Sequence, residues 1–310
     1  MNFCKIIMYH YVRPLKNNKY SEIKGLEITD FKKQIKFFRE KFGFENANFL
    51  FNEISSENVS KTPVILTFDD GFKDHFKHVY PILKQEKIQG LFFPSSKPIL
   101  DHTVLDVHKI HFILASENNK SKIIDEIFEK ILFYQKDFEL ESPSVYWDKL
   151  AISNRFDSGD VIFIKRILQR ELPFEVRTNI TNYLFEKYVS TNEAEFSKEL
   201  YLSLDEIDEM KENGMYFSSQ CYSHEWLSYL SEQDLNLELQ KSMDFCQRIN
   251  PNGKQTLCYP YGDYNEFVIN EAKKTGFLAG FTTNPDNAKI TQENMFTLPR
   301  FDTNDFLKNL

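Results

Sequence analysis

The sequence predicts an α/β fold, a parallel sheet or (β/α) barrel interrupted by a long helical insertion. Three observations carry that expectation. Strand and helix signals alternate over the first hundred residues and again after residue 200, a βαβ succession that favours parallel strands. Val64-Ile65-Leu66-Thr67-Phe68 is continuously apolar and β-rich after Pro63, the pattern of a strand buried on both faces. Between residues 102 and 197 strand signals vanish, glycine is nearly absent, and helical periodicity dominates. A chain of 310 residues suits two domains or one barrel with an insertion, against ~100–200 residues per domain. The expected boundaries are 1–102 and 200–310 for the two parts of the barrel, with the insertion at 103–199.

In order, residues 4–9 form a short apolar strand. Thr29 or Asp30 can cap a helix with Phe31, Ile35 and Phe38 on one face, ended by Gly43. After the 64–68 strand comes a helix over 74–85, with Val79, Ile82 and Leu83 inward, and a strand at 91–93. Segments 123–133 and 161–172 read as helices of the insertion. Ser203-Leu204-Asp205-Glu206 is a capping box ahead of Ile207 and Met210, with Gly214 as stop. A strand at 215–218 follows, then a helix from Ser231 with Leu235, Leu239, Met243 and Cys246 on one side. The chain closes with a strand at 256–259, a helix over 265–275 stopped by Gly276, and a strand at 279–282.

Composition narrows the function. Thirty-eight Lys+Arg against 46 Asp+Glu give a net charge of −8 with no basic run, so nucleic acid is not an expected partner. No stretch approaches the ~18 apolar residues of a membrane span. The opening Met1-Asn2-Phe3-Cys4-Lys5 lacks the basic n-region and cleavage site of a secretory signal, which predicts a cytoplasmic protein. Cys4, Cys221, Cys246 and Cys258 form no C-x-x-C pair, so neither a zinc knuckle nor a disulfide framework is indicated. Aromatic residues reach 15%, with 30 Phe; most must fill the core and a few are free to stack on a ligand, while Phe-rich insertion helices suit a homo-oligomer interface.

Three segments, each following a strand, carry potential chemistry. In Thr67-Phe68-Asp69-Asp70-Gly71, two adjacent carboxylates at the end of a buried strand are costly unless metal, hydrogen bonds or catalysis compensates them. Their side chains diverge, so one Asp can hold a metal while the other serves as a base. The plain alternative is a strand-to-turn Asp-Gly that caps the next helix. Ser218-Ser219-Gln220-Cys221-Tyr222-Ser223-His224 offers His224 as a ligand or as an ordinary loop histidine. In Cys258-Tyr259-Pro260-Tyr261-Gly262-Asp263, the turn can aim backbone N–H groups at an oxyanion or simply be tight.

Together and in this order, the three segments resemble the NodB-homology polysaccharide deacetylases, carbohydrate esterase family four. That family has T-F-D-D-G, then H-[ST]-x-x-H, then a Pro-Tyr-Gly turn, on a distorted (β/α) barrel. Met8-Tyr9-His10-Tyr11-Val12 is similar to the Tyr-His-x-Val start of a subgroup that includes exopolysaccharide N-deacetylases, and the segment 201–214 to the lead-in of the histidine motif. The resemblance covers roughly residues 1–100 and 200–302. It implies Asp69 as general base, Asp70 and His224 as metal ligands, and His10 as the acid, since no late histidine follows His224. The first histidine of the motif falls on Gln220, a neutral and poorer zinc ligand. Cys221 stands where the family has Ser or Thr, and Cys258 where many members have the Arg that orients the base; Arg300 is a candidate substitute. Tyr259, Pro260, Tyr222 and Trp226 are the candidates to line the substrate. His75, His78, His102, His108 and His111 match no motif and are expected at the surface or in the core.

The resemblance implies hydrolytic N-deacylation, most simply N-deacetylation, of an amino sugar. A divalent metal (zinc, cobalt or nickel) on Asp70, His224 and Gln220 would polarise the amide, with the Tyr261 N–H at the oxyanion. The expected substrate is a carbohydrate, a nucleotide- or lipid-linked precursor of a surface polysaccharide, with the insertion lying over the strand ends as a pocket wall. Two other readings stay open: a metal-independent amidohydrolase acting on a small amide, and a catalytically degenerate carbohydrate-binding barrel.

Overall fold

The computed structural model describes residues 3–16, 18–51, 62–154 and 157–306. Met1 and Asn2, which begin the opening segment read above, lie outside them. The chain divides into two compact units. One comprises Met1–Pro14, Gly25–His102 and Ser197–Leu310; the other comprises Leu15–Lys24 and Thr103–Phe196. That a piece of the first long loop, Leu15–Lys24, joins the second unit has no signal in the sequence.

The first unit is built on parallel strands. β1 (Phe3–Tyr9) pairs with β3 (Pro63–Asp70), β3 with β4 (Gly90–Pro94), and β4 with β5 (Tyr216–Phe217), all in parallel. An isolated parallel bridge, Ser219 to Leu257, leads to β6 (Thr256–Cys258), which pairs with β7 (Ala279–Phe281). A second bridge, Phe281 to Leu298, reaches the segment ending in β9 (Phe301–Asp302), and β9 pairs in parallel with β1. Two mainly parallel sheets joined by isolated bridges, with helices between their strands, give the α/β class expected. β2 (Gly43–Phe44) extends the edge of β3 ahead of β4, and β8 (Ala288–Lys289) lies antiparallel to β1. β2, β8 and β9 are two residues long, too short for periodicity to reveal.

Alternation along the strands separates two faces. Tyr9, Phe68, Phe92 and Phe217 are register partners on four neighbouring strands, and their rings stack in a row at 5.1, 4.8 and 5.1 Å. Strand spacing of ~4.8 Å is what allows such a row. Phe31 of α1 (Ile28–Lys41) meets the row edge-on, so this face looks toward helices. The opposite face packs into a core cluster with Ile6, Ile65, Leu91, Phe93, Cys258, Ala279, Phe281 and Leu298. β3 is buried over its whole length, as the apolar run predicted.

The helices follow their signals with several instructive departures. α1 starts one residue before Thr29, and the Glu27 carbonyl takes the first helical bonds, so Thr29 and Asp30 lie inside the first turn rather than capping it. Gly43 does not stop that helix; its N–H bonds to the Thr62 carbonyl and enters β2. The helix expected over 74–85 opens with a π turn, His75–Val79, before α2 (Tyr80–Glu86). Pro81 has no N–H for the Lys77 carbonyl, and the Tyr80 N–H bonds instead to the His75 carbonyl five residues back. α3 (Ser96–Asp101) was not anticipated. The second unit carries α4 (Asp106–Ser116), α5 (Lys120–Tyr134), α6 (Pro143–Leu150), α7 (Gly159–Arg166) and α8 (Phe174–Tyr188), and the chain leaves it within α9 (Glu193–Leu200).

Back in the first unit, α10 (Leu204–Glu212) has both reciprocal bonds of the Ser203/Glu206 capping box. Ser231 caps α11 (Glu232–Ile249) and Asn265 caps α12 (Glu266–Thr275), which Gly276 closes at φ 107°. α11 and α12 cover Leu257 and Tyr259 with Leu235, Leu239, Met243, Val268 and Ala272. All four cysteines are buried and unpaired. Among the described residues no helix is long and apolar enough to cross a membrane.

Candidate active site

The site gathers at the ends of β3, β5, β6 and the segment leading to β9. Asp69 shares the interior face with Ile65 and Thr67 and is 1% exposed. Arg300, 0% exposed, grips it with a two-pronged fork: Nη1 donates to Oδ1 at 2.7 Å and Nη2 to Oδ2 at 2.8 Å. The rest of the guanidinium is satisfied by the Thr282 carbonyl, Thr67 Oγ1 and Cys258 Sγ. Burial alone would lower the Arg300 pKa, but the Asp69 carboxylate holds it above the ordinary value, so the cation is secure. The Cys258 thiol lies 3.5 Å from Asp69 Oδ2 and is pushed well up by burial, so it stays neutral. His10, partly exposed at the end of β1, places Nε2 3.8 Å from the same oxygen.

Asp70 turns the other way. Its φ of 70° and that of Gly71, 69°, swing the chain off the strand, and a Cβ on Gly71 would sit 2.4 Å from Pro94 Cβ. Asp70 Oδ1 is 3.5 Å from His224 Nε2. The histidine segment is strapped to the end of β4: Gln220 N–H bonds to the Pro94 carbonyl, and the Cys221 and Tyr222 carbonyls accept from Ser96 and Lys97. Glu238 of α11 then accepts from the Ser223 backbone N–H and hydroxyl, immediately before His224. Burial raises the Glu238 pKa. This anchor was missed in the sequence; its signal was a Glu on the same helical face as Leu235 and Leu239.

Beyond His224 the third motif supplies a wall of rings. Tyr261 stacks on Trp226 at 4.3 Å and meets His224 edge-on at 4.7 Å. Its φ of 59° makes the turn, which Asp263 ties to Ser228 through two hydrogen bonds. Tyr222, half-buried, donates to Asp101 at 2.6 Å. Asp70, Cys221, His224 and Tyr261 all adopt the left-handed conformation that disfavours side chains.

Two expected substrate residues are corrected. Tyr259 follows the inward Cys258 and so points outward, under α11 and α12. It is 0% exposed, and its hydroxyl donates to the Phe296 carbonyl. Pro260 is buried in the turn. Tyr222, Trp226 and Tyr261 keep partial exposure.

Asp70 and His224 stand as two ligands of one ion with bonds of ~2.0–2.2 Å would. The third expected donor, Gln220, is neutral and already accepts one hydrogen bond. An amide N–H only donates, so the Gln220 atom 2.9 Å from the Asp70 backbone nitrogen is its oxygen. Among the described residues no three His, Cys, Asp or Glu side chains form a metal-binding group. The set implied by the resemblance thus has Asp70 and His224 in place and, in Gln220, a neutral donor whose oxygen keeps one lone pair beside its bond from the Asp70 N–H.

A family model described as Polysaccharide deacetylase matches residues 56–130 and 152–280, reaching into the helical segment that the motif resemblance left out. YxkH of Bacillus subtilis (strain 168), named provisionally as a polysaccharide deacetylase, is 30% identical over 100 residues. Those residues are 32% of this chain, which thus spans about a third, 36%, of that relative. The deacetylase PplD of Streptococcus pyogenes, solved in complex with acetate, superposes with a TM-score of 0.59 at 17% identity, covering 97% of this chain and 92% of its own. IcaB from Ammonifex degensii gives 0.56 at 15% identity, covering 99% and 95%. At these identities the likeness is one of fold. The family match, by contrast, takes in more than half of the chain, and the chain belongs to the polysaccharide deacetylase family.

Proposed function

We propose that the chain hydrolyses the amide of an N-acylated amino sugar, most simply releasing acetate from an N-acetyl group. The observation that carries this reading is the buried, arginine-clamped Asp69 carboxylate with an imidazole, His10, 3.8 Å away at the partly exposed end of β1. Arg300 occupies one lone pair on each Asp69 oxygen and the Cys258 thiol donates to a second on Oδ2, which leaves Oδ1 with one for a water. Asp69 takes the proton of that water as its oxygen attacks the amide carbon. The Tyr261 N–H faces the tetrahedral oxyanion, and protonated His10 donates to the departing nitrogen as the C–N bond breaks. A carboxylate and a free amine result. Trp226, Tyr261 and Tyr222 offer ring faces and a hydroxyl to the sugar.

The bond from the Asp70 N–H to the Gln220 oxygen weakens Gln220 as a third ligand and favours a form of this reaction in which Asp70 and His224 act as a close carboxylate–imidazole pair, 3.5 Å apart. The acetate bound by PplD supports acetyl as the group removed. Acetate release is to be measured on chito-oligosaccharides and on nucleotide- and lipid-linked N-acetyl sugars, which separates a polymer substrate from the precursors expected from sequence. Asp69→Asn should abolish turnover with the fold retained by circular dichroism; turnover that survives removes Asp69 as base.

A further inference from the structure

We propose that His75 is a positioning residue for His10: its ring N–H fixes the backbone from which the proton-donating imidazole projects. The proposal rests on the reading of His10 as the acid. β1 leaves its ladder with β3 after the Tyr9–Phe68 pair, and the next carbonyl, that of His10, meets the His75 ring, with Nε2 2.8 Å away. A carbonyl only accepts, so Nε2 carries the proton and Nδ1 does not. Nδ1 is buried with no hydrogen-bond partner among the described residues. The ring is 0% exposed, among Phe68, Phe72 and Phe92 at 5.5, 5.9 and 5.7 Å.

A phenylalanine would suit that aromatic pocket and leave no orphaned nitrogen. What the imidazole adds over a phenyl ring is one hydrogen bond, and its acceptor is the backbone of the candidate acid. Burial lowers the His75 pKa, which keeps the ring neutral and in the tautomer that donates. The π turn that begins at His75 sets the ring against the end of β1, and such turns gather at functional sites.

His75→Phe removes the donor and keeps the shape; His75→Gln keeps a donor at the equivalent reach. The only His-Tyr step in the chain is His10-Tyr11, so pairing ¹³C-carbonyl His with ¹⁵N-Tyr isolates the His10 carbonyl in one NMR peak. With a chito-oligosaccharide as probe, His75→Phe should lower kcat by about 10- to 100-fold with KM within twofold, as expected for a misplaced catalytic group. It should move the His10 carbonyl peak and unfold no earlier than the parent. His75→Gln should restore kcat and the carbonyl peak. Parental kcat or an unmoved His10 carbonyl peak in His75→Phe overturns the proposal. If the parent releases no acetate from any substrate tested, the functional reading falls, and the His10 carbonyl peak still decides the placement.

Discussion

Removing the Arg300 fork should expose how much of the site is held by one ion pair. In Arg300→Met the Asp69 carboxylate stays buried at 1% exposure, left with a thiol at 3.5 Å and an imidazole at 3.8 Å in place of two charged donors. The Thr282 carbonyl and Thr67 Oγ1 lose donors as well. Breaking one side of a buried pair typically costs about 3–5 kcal/mol. At a urea m-value near 3 kcal/mol/M, that moves the unfolding midpoint by about 1 M or more. Asp69→Asn keeps one acceptor for the fork and should cost less. The decisive form is the cycle of Arg300→Met, Asp69→Asn and both together. The double variant holds neither charge, so it should be more stable than the sum of the singles implies, by about 2 kcal/mol. Additivity within about 0.5 kcal/mol would mean the two groups do not interact, and the clamped-base picture would go with it.

Gln220→His frees the Asp70 N–H and supplies an imidazole beside Asp70 and His224, so zinc should bind at least tenfold more tightly by calorimetric titration; equal affinity would show that position 220 does not face the pair. Gly71→Ala meets Pro94 at 2.4 Å in a left-handed conformation and should lower stability by about 2–4 kcal/mol, read as melting temperature. The His75 pKa is lowered in the folded state, so unfolding takes up a proton as pH falls below the ordinary value of 6.5. Stability should be full above that pH and decline from there toward the lowered folded value. His75→Phe should flatten that decline, and an unchanged slope would assign it to other groups.

The sequence carried the parts of the fold that depend on runs and caps: the buried β3, the Ser203 capping box, and the Gly276 stop all stand where their residues placed them. It was silent where structure depends on distant partners. Two-residue strands such as β8 exist because β1 offers an edge, and nothing local marks them. Arg300 entered only through the resemblance, since no spacing links it to Asp69, 231 residues away. Tyr259 was misread because the turn beside it drew attention, although strand alternation from Cys258 already turned it outward. The π turn was legible in principle from Pro81. Asp69, His10, Asp70 and His224 come together as the motifs suggested, and their roles stand as proposals for the assays above.

The four left-handed side-chain residues around the site also constrain how this chain can change over generations. At about 1 kcal/mol each, Asp70, Cys221, His224 and Tyr261 together burden the fold by several kcal/mol, a large part of the net stability of an ordinary domain. Glycine or asparagine at any of them would relax the backbone, so drift toward a sturdier protein runs through the loss of these side chains. Selection for robustness alone would erase them first. A lineage that keeps all four is held there by what the side chains do, and a descendant freed of that demand should betray it at these four positions before its core changes.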